Sequence, residues 1–364
     1  MVDNVYKKLA ERLDALPNKF GYPATEDGVE LLILEKIFEP EEAELAVKLR
    51  LTRETPEQLA ERIGGDADTL RSKLNSMVKK RLIGAQRGPG DTPTVYGLIP
   101  FAWGISEYQS GGMDAEMAQL IEDHFQQSFP KVLAMKPQLH RVIPIGEAVR
   151  NDMEVLPFES ATALLEKSQS WGVQDCICRK QKALIGDPCD HPKDLCMLFA
   201  PVPNYFDNNP VIRAQTKEEA LANLKRAADA GLVHTVSNTQ EGISYICNCC
   251  TCSCVILRGM AEMGIANVVA RSAFVNTVDA DLCGACEDCV EHCQFDALEL
   301  GDDNVMQVNR TRCVGCGVCV TNCPDDAMIL VRRPEEEIKP IPATPQDWMA
   351  ERALTRGLDM SSVL

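Results

Sequence analysis

Apolar residues recur at helical spacing through the first fifty positions of the chain. The spacing predicts an amphipathic helix within residues 1–20, whose apolar face is formed by Val5, Leu9, Leu13 and Leu16. The same periodicity predicts a helix over 28–38 and another over 41–49. Polar and charged residues occupy the intervening positions, so each helix offers one face to a core.

Residues 55–98 carry stronger start and stop signals. The residues Thr-Pro-Glu-Gln at 55–58 form a capping box with proline in the first turn, and the glycine pair 64–65 ends that helix. A further helix is predicted over about 66–82, followed by a glycine-rich turn and a strand at 94–99. Helix, tight turn, helix and short hairpin is the order of a winged helix, and the segment resembles winged helix-turn-helix domains in this pattern.

The middle of the chain alternates helical stretches with short apolar runs. Helices are predicted over 113–129, 160–168 and 217–230, and strands over 142–145, 233–236 and 243–246. Such alternation is typical of an α/β domain. After this region, a proline-rich arm leads to a helix predicted over 346–356, which would dock either on a partner protein or on the N-terminal domain.

Cysteine is abundant and unevenly placed. The chain has 17 cysteines, and none precedes Cys176. The first sixty residues contain no export signal and no apolar run long enough to cross a bilayer, so we expect a cytoplasmic protein without a membrane span. The cytoplasm keeps thiols reduced, which makes metal ligation the expected role of these cysteines. The 364 residues allow two or three domains that fold without disulfides.

Two cysteine runs near the C-terminus repeat each other at an offset of thirty residues. The first run is Cys283, Cys286, Cys289 and Cys293, and the second is Cys313, Cys316, Cys319 and Cys323. The similarity extends past the cysteines, because Asp-Ala-Leu at 296–298 matches Asp-Ala-Met at 326–328. Such self-similarity predicts two copies of one supersecondary unit packed together.

The spacing within each run predicts which cysteines share a cluster. The first three cysteines of a run reach three corners of one iron–sulfur cube, whereas the fourth points toward the cube of the other half. One 4Fe–4S cluster is therefore assigned to Cys283, Cys286, Cys289 and Cys323, and a second to Cys313, Cys316, Cys319 and Cys293. Residues 276–332 resemble two-cluster bacterial ferredoxins, which transfer single electrons. Gln294 departs from that pattern, since proline is expected there.

Nine cysteines remain, in two groups. A third cluster is assigned to Cys176, Cys178, Cys189 and Cys196. A fourth is assigned to four of the five thiols Cys247, Cys249, Cys250, Cys252 and Cys254. We thus expect one or two further 4Fe–4S clusters here. Zinc in the middle domain is the alternative, because four-cysteine zinc sites tolerate variable spacing. One of the nine cysteines would be an ordinary buried residue.

The context of these cysteines carries a second resemblance. Cys-x-Cys-Arg at 176–179, Gly-Asp-Pro-Cys at 186–189 and Ile-Cys-Asn-Cys-Cys at 246–250 precede the ferredoxin-like region in this order. Residues 140–334 thereby resemble anaerobe 4Fe–4S proteins described as ferredoxin-like. The resemblance implies electron transfer between oxidoreductases.

Two residues beside the cysteines have open roles. Arg179 follows a predicted ligand, and it would either hydrogen-bond a cluster or pair with a surface carboxylate. His191 would either replace a thiolate, as histidine does in Rieske centres, or stabilise the turn Asp-His-Pro.

The charge balance bears on the partner. A formal net charge of −17 favours a basic protein partner over nucleic acid. Residues 55–98 hold seven basic and five acidic residues, which is a small excess for a DNA-binding face. We therefore expect the winged-helix-like segment to dock on protein, and nucleic-acid binding through 55–98 stays the alternative.

These observations predict an α+β multidomain protein. Its parts are a winged-helix-like N-terminal domain (1–105), a cysteine-rich α/β middle domain (106–275), a ferredoxin-like two-cluster module (276–334) and a tail (335–364). The chain shows no dinucleotide fingerprint and no Ser/His/Asp constellation. We therefore assign no catalytic residue. We expect an electron-transfer component of an oxidoreductase complex rather than a stand-alone enzyme. Its redox partner would be a protein such as a flavoprotein or a dehydrogenase.

Two other functions stay open at the level of sequence. The first is a redox-responsive regulator that binds DNA through the winged-helix-like domain. The second is an oxidoreductase whose middle domain holds a substrate-binding cluster.

Overall fold

The computed structural model describes residues 4–17, 21–87, 92–150, 153–265, 267–359 and 361. Its helices are α1 (Val5–Asp14), α2 (Val29–Ile37), α3 (Pro40–Lys48), α4 (Pro56–Ile63), α5 (Ala67–Lys79), α6 (Ser106–Gln109), α7 (Ala115–Ala134), α8 (Ala161–Lys167), α9 (Ile177–Leu184), α10 (Lys217–Asp229), α11 (Arg258–Ala261), α12 (Asp288–Glu291), α13 (Val318–Thr321) and α14 (Pro345–Arg356). Its strands are β1 (Gly84–Gln86), β2 (Val95–Gly97), β3 (His140–Val142), β4 (Ser170–Gln174), β5 (Cys196–Ala200), β6 (Arg213–Gln215), β7 (Val233–Ser237), β8 (Tyr245–Cys249), β9 (Phe274–Val278), β10 (Leu298–Leu300), β11 (Met306–Val308) and β12 (Met328–Arg332).

Parts of two predicted elements lie outside the described residues, namely 1–3 and 18–20 of the first helix and 88–91 of the glycine-rich turn. Within the described ranges, no helix is both long enough and apolar enough to cross a membrane.

The chain divides into two compact units, one formed by Met1–Lys136 with Met349–Leu364 and the other by Pro137–Trp348. The boundary at which the chain leaves the first unit therefore lies after α7 and not at residue 105. The reason is packing, because Met117 and Leu120 of α7 join the apolar core of the first unit. The predicted ferredoxin segment is part of the second unit.

The first unit contains the helices predicted from periodicity. Helices α1 to α5 share one core, in which Leu9, Ile33 and Leu74 are fully buried. The predicted capping box is confirmed: the Thr55 hydroxyl accepts the Gln58 N–H at 3.3 Å, and the Gln58 side chain accepts the Thr55 N–H at 2.8 Å. Strands β1 and β2 pair antiparallel after α5. The assignment of this segment as a winged helix stays a prediction.

Most of the C-terminal helix α14 belongs to the same first unit. Arg352 is fully buried and donates to the Val132 carbonyl at 2.7 Å, near the end of α7. Arg356 donates to the carbonyls of Leu16 at 2.8 Å and Asp14 at 2.6 Å, at the end of α1. Arg356 thus supplies a donor to the Asp14 carbonyl, one of the last carbonyls of α1, which lack partners within the helix. The Val132 carbonyl also accepts the Met135 N–H at 3.3 Å. The tail helix thus docks on the N-terminal domain, which is one of its two expected roles.

A six-stranded sheet forms the centre of the second unit, in the order β3-β7-β8-β5-β4-β6. Every neighbouring pair in it is antiparallel. The middle region is therefore α+β, and the expected α/β domain is corrected. Strand β8 follows β7 without an intervening helix, so the chain reverses direction between them, as a short connection requires.

Two small ladders complete the second unit. Strand β9 pairs antiparallel with β12, with Phe274 opposite Arg332, and β10 pairs with β11, with Leu298 opposite Val308. The one-turn helices α12 and α13 lie in the two halves of the predicted repeat.

Replacing Thr55 by alanine should destabilise α4 locally. The substitution removes the side-chain acceptor of the capping box, which is worth about 1 kcal/mol. We expect faster amide hydrogen exchange over 56–63 in the intact protein, measured by mass spectrometry. Replacing Ser76, an exposed residue inside α5, by alanine is the matched control and should leave exchange over 56–63 unchanged. Equal exchange in the two variants would contradict the capping role.

Candidate metal centres

The two cysteine runs have the same backbone, residue for residue. Left-handed φ values recur at offset thirty: 55° at Ala285 and 72° at Gly315, 63° at Glu287 and 81° at Gly317. In the second run, glycine is required at position 315, because a Cβ there would lie 2.1 Å from the Phe274 carbonyl oxygen. The repeat seen in the sequence is thus a repeat of chain geometry.

One cavity of about 280 Å³ lies beside the first run. The thiol-bearing residues that line it are Cys283, Cys286, Cys289 and Cys323. The fourth of these comes from the second run, as the crossover rule predicts. Pro324, Met306 and Met328 close other sides of the cavity.

A second cavity of about 320 Å³ lies beside the second run. Its cysteines are Cys293, Cys313, Cys316 and Cys319, so the fourth comes from the first run. Phe295, Leu298 and Leu330 give it an apolar lining. Each cavity therefore presents four thiols, the number that a 4Fe–4S cluster requires.

Hydrogen-bond donors reach the sulfur atoms of the second cavity. The buried Asn276 side chain donates to Cys319 Sγ at 3.2 Å, and the Ala297 N–H donates to Cys293 Sγ at 3.4 Å. Burial raises the pKa of Cys316 to about 12 and that of Cys289 in the first cavity to about 11. A cationic cluster that binds thiolates would offset this penalty. The donor set and the cavities therefore fit 4Fe–4S clusters.

The middle cysteines are arranged by strand β8. Cys247 and Cys249 share one face of the strand, since side chains alternate, and Asn248 points to the other. The Asn248 side chain bonds His234 at 2.6 Å and donates to the Leu195 carbonyl at 2.7 Å. This buried polar network orients β8, and with it both thiols.

Six of the nine middle cysteines form a continuous series in which each thiol shifts the pKa of the next. The neighbours in the series are Cys176 with Cys178, Cys178 with Cys254, Cys254 with Cys249, Cys249 with Cys247, and Cys247 with Cys196. We call these residues the thiol series. It draws on both sequence groups, which differs from the assignment of one cluster to each group.

The other three cysteines lie together with a histidine. The donor atoms of Cys189, His191, Cys250 and Cys252 are all within 4.8 Å of one another. We call this set the Cys189 group. His191, left open by the sequence, thus stands among thiols.

Arg179 lies between the thiol series and the Cys189 group. It is 1% exposed, and it donates to the carbonyls of Pro192 at 2.9 Å and Asn248 at 2.7 Å. Its positive charge interacts with Cys176 and Cys250, one from each set. Of the two roles left open by the sequence, the structure supports the one beside the thiols and not the pairing with a surface carboxylate.

Hydrogen bonds within the Cys189 group lower the pKa of one thiol and raise the pKa of another. The Cys252 thiol, followed by His191 and Arg179, lowers the pKa of Cys250 to about 3. The same contact raises the pKa of Cys252, and Cys250 raises that of His191. In the thiol series, the Cys247 and Cys254 thiols lower the pKa of Cys249 to about 6. These hydrogen bonds favour the thiolate form at Cys250 and Cys249, and thiolate is the form that binds metal.

Gln294 links the ferredoxin region to the Cys189 group. Its side-chain oxygen accepts the Thr251 N–H at 2.8 Å, between Cys250 and Cys252. Its side-chain nitrogen donates to the Gly231 carbonyl at 2.5 Å. A proline at this position would make neither bond, which accounts for the departure from the ferredoxin pattern.

Sequence reasoning missed several residues of these sites. Asn276, His234 and Asn248 act through long-range hydrogen bonds, and no local motif marks them. The unexpected residue at 294 was the one available signal of a special contact.

Comparison with known proteins identifies the C-terminal region. Residues 282–327 match the family model described as the 4Fe-4S dicluster domain. The chain is 37% identical over 54 residues to a ferredoxin of Methanothermococcus thermolithotrophicus, which covers 14% of this chain and 90% of that protein. The predicted 4Fe–4S ferredoxin module is thereby confirmed.

Two longer relatives share only a segment. Electron transport protein HydN of Escherichia coli is 40% identical over 62 residues, covering 16% of this chain and 35% of HydN. A component of the Na(+)-translocating ferredoxin:NAD(+) oxidoreductase complex of Acetobacterium woodii is 40% identical over 50 residues, covering 14% of this chain and 15% of that component. The chain thus spans well under two thirds of either protein, and both are redox proteins by name. No solved structure matches the chain.

Replacing Gln294 by alanine should release the turn that carries Cys250 and Cys252. The Thr251 N–H would lose its acceptor, which raises its hydrogen-exchange rate roughly tenfold, or about 1.4 kcal/mol. Exchange of a peptide containing Thr251 measures this in the intact protein. Replacing the exposed Gln307 by alanine is the control. Unaltered exchange at Thr251 in the Gln294 variant would contradict the link.

Proposed function

Since the chain belongs through residues 282–327 to the 4Fe–4S dicluster ferredoxins, we propose that it relays single electrons between redox partners. The pair of cavities carries this proposal, because each is lined by three cysteines of one run and the fourth of the other. A bound 4Fe–4S cluster supplies a centre that gains and loses one electron at a time. In this role the chain holds the clusters, sets their surroundings and binds partners.

The two cavities are proposed to differ in reduction potential. Asn276 and the Ala297 N–H donate to thiol sulfurs in the second cavity, and such bonds stabilise the more negative, reduced state. The first cavity is lined instead by the acidic residues Glu287 and Asp325, which disfavour added negative charge. We infer that the first cavity has the lower potential.

Exposure favours the first cavity as the point of contact with a partner. Cys286 is exposed, and Leu282, which directly precedes Cys283, is 50% exposed. Cys313 and Cys319 of the second cavity are buried, and the Ile145 N–H from the middle region donates to the Cys316 carbonyl at 2.9 Å. A partner would thus exchange electrons with the first cavity, and the second would pass them inward. The acidic rim favours a basic surface on a partner such as a flavoprotein or a dehydrogenase.

The thiol series is the proposed continuation of the relay. It has six cysteines, each next to another member of the series, which is more than the four thiolates of one cluster. The protein would then work as a component of an oxidoreductase complex in the reducing cytoplasm, where its thiols stay available for iron.

Ion pairs on α5 favour protein docking over DNA binding by the N-terminal unit. Three cations of that helix and its C-cap lie against carboxylates: Arg71 against Glu57, Lys73 against Glu41 at 3.1 Å, and Lys80 against Glu42 at 2.8 Å. Phosphates would have to displace these carboxylates. The proposed role of residues 55–98 is therefore to bind a protein, and an electrophoretic shift with DNA at low salt would contradict it.

Reductive titration should show one-electron centres. We expect EPR signals of the anaerobically purified protein that follow one-electron Nernst curves in the ferredoxin module. The reduced protein should also be reoxidised by a flavoprotein or a ferredoxin-dependent dehydrogenase added as acceptor. Two-electron curves, or no electron exchange with any such acceptor, would contradict the relay.

Paired cysteine variants test the crossover assignment. If Cys286 and Cys323 bind one cluster, replacing both by serine should remove about four irons, the same loss as either single change. Replacing Cys286 and Cys293 should remove about eight, because each belongs to a different cluster. Iron analysis and EPR signal counts measure these losses. The reverse pattern would show that each run binds its own cluster with all four of its cysteines.

A further inference from the structure

We propose that Cys189, His191, Cys250 and Cys252 bind a single zinc ion, at a site separate from the iron–sulfur clusters. The four donor atoms lie within 4.8 Å of one another, and Cys252 Sγ is 3.6 Å from His191 Nδ1. Three thiolates and one imidazole form one of the usual ligand sets of structural zinc. No other residue is needed to complete a tetrahedral site.

The spacing of the donors favours one ion over a cluster. Tetrahedral zinc with Zn–S bonds of about 2.3 Å separates its sulfur ligands by roughly 3.8 Å. A four-iron cube places a different iron beneath each thiolate and spreads its ligands further apart. The ferredoxin cysteines line two separate cavities. Within the described part of the chain, those cysteines form no group as close as the Cys189 group.

The ligands come in two pairs from two loops. Cys189 and His191 follow α9, and Cys250 and Cys252 follow β8. Each pair is spaced by one residue, so one ion would join the two loops. Zinc sites commonly connect two such chain segments, and this holds them together without redox chemistry.

Neighbouring groups orient the ligands, as the outer shell of a metal site does. The Ser253 hydroxyl donates to Cys189 Sγ at 3.3 Å. Arg179 fixes the turn that carries His191 through the Pro192 carbonyl. The Thr251 N–H, between two ligands, is held by Gln294 at 2.8 Å. Both loops are therefore positioned before an ion binds.

The proposal changes the assignment of the middle cysteines. Cys189 is no longer assigned to the third predicted cluster, and Cys250 and Cys252 are no longer assigned to the fourth. The six cysteines of the thiol series remain for iron. The zinc site and the ferredoxin clusters use different ligands, since the ferredoxin cysteines take no part in the zinc site.

Metal analysis of the full-length protein, purified anaerobically with its clusters, tests the proposal. We expect about one zinc per chain, and a zinc-edge X-ray absorption spectrum that fits three sulfurs at about 2.3 Å and one nitrogen at about 2.0–2.1 Å. A protein with no zinc, or zinc with another ligand set, would overturn the proposal.

Histidine variants make the test specific. His191→Ala should lose most of the zinc, whereas His191→Cys should keep it with four sulfur ligands in the absorption spectrum. His292→Ala, a change at an exposed histidine in the ferredoxin module, is the matched control and should keep the native zinc spectrum. The EPR signals of the ferredoxin clusters should persist in all three, which shows that the variants fold.

Two further results would each overturn the site. One is unchanged zinc content in His191→Ala, which would mark the zinc as adventitious. The other is loss of about four irons per chain in Cys189→Ser, which would place these residues on a 4Fe–4S cluster. Failure of the electron relay itself would appear in a different measurement: the one-electron EPR signals would be absent while the zinc spectrum stayed intact.

Discussion

The buried guanidinium of Arg179 joins the two segments that carry the nine middle cysteines. Its hydrogen bonds to the carbonyls of Pro192 and Asn248 connect the loop after α9 to strand β8. A cation that is 1% exposed would be costly to bury alone, but thiols of the thiol series and of the Cys189 group lie near it and supply negative charge when ionised. Removing this charge would leave the nearby buried thiolates uncompensated and would take away two of the hydrogen bonds between these segments, while the Asn248–Leu195 and Ser253–Cys189 bonds would remain.

The ferredoxin module is predictable because its geometry is local. Three cysteines spaced by two residues fix the chain around one cavity, and the repeat reproduces that chain path at an offset of thirty. The structure follows this down to the left-handed φ values of 63° at Glu287 and 81° at Gly317. The helices of the first unit were predictable for a similar reason, because capping and periodicity are short-range properties. Gln294 shows where local reasoning ends: its departure from proline is visible in the sequence, but its partners Thr251 and Gly231 are not.

The middle region could not be derived in the same way. Cys189 is closer in sequence to Cys178 than to Cys250, yet it lies with Cys250, because the end of β8 meets the loop after α9. The alternation of helices and strands also does not encode strand direction, so an antiparallel sheet produced the pattern expected of an α/β domain. The boundary of the N-terminal unit lies later in the chain than predicted for a third reason. The apolar face of α7 is buried against the N-terminal helices, and amphipathicity does not specify which neighbour will cover a face.

Gln294 connects the second ferredoxin cavity to the proposed zinc site. It directly follows Cys293, which lines the second ferredoxin cavity, and it holds Thr251 between two residues of the Cys189 group. The path from Cys293 of the cavity to Cys250 of the proposed zinc site is thus two peptide bonds and one hydrogen bond. Zinc has no redox chemistry, so electrons would pass from the second cavity to the thiol series without residing on it. Its contribution would be rigidity, because electron transfer slows steeply with distance and a fixed loop keeps that distance constant. The sequence departure at 294 and the mixed histidine–cysteine site then serve one purpose, which is to hold the ferredoxin module in register with the middle cysteines.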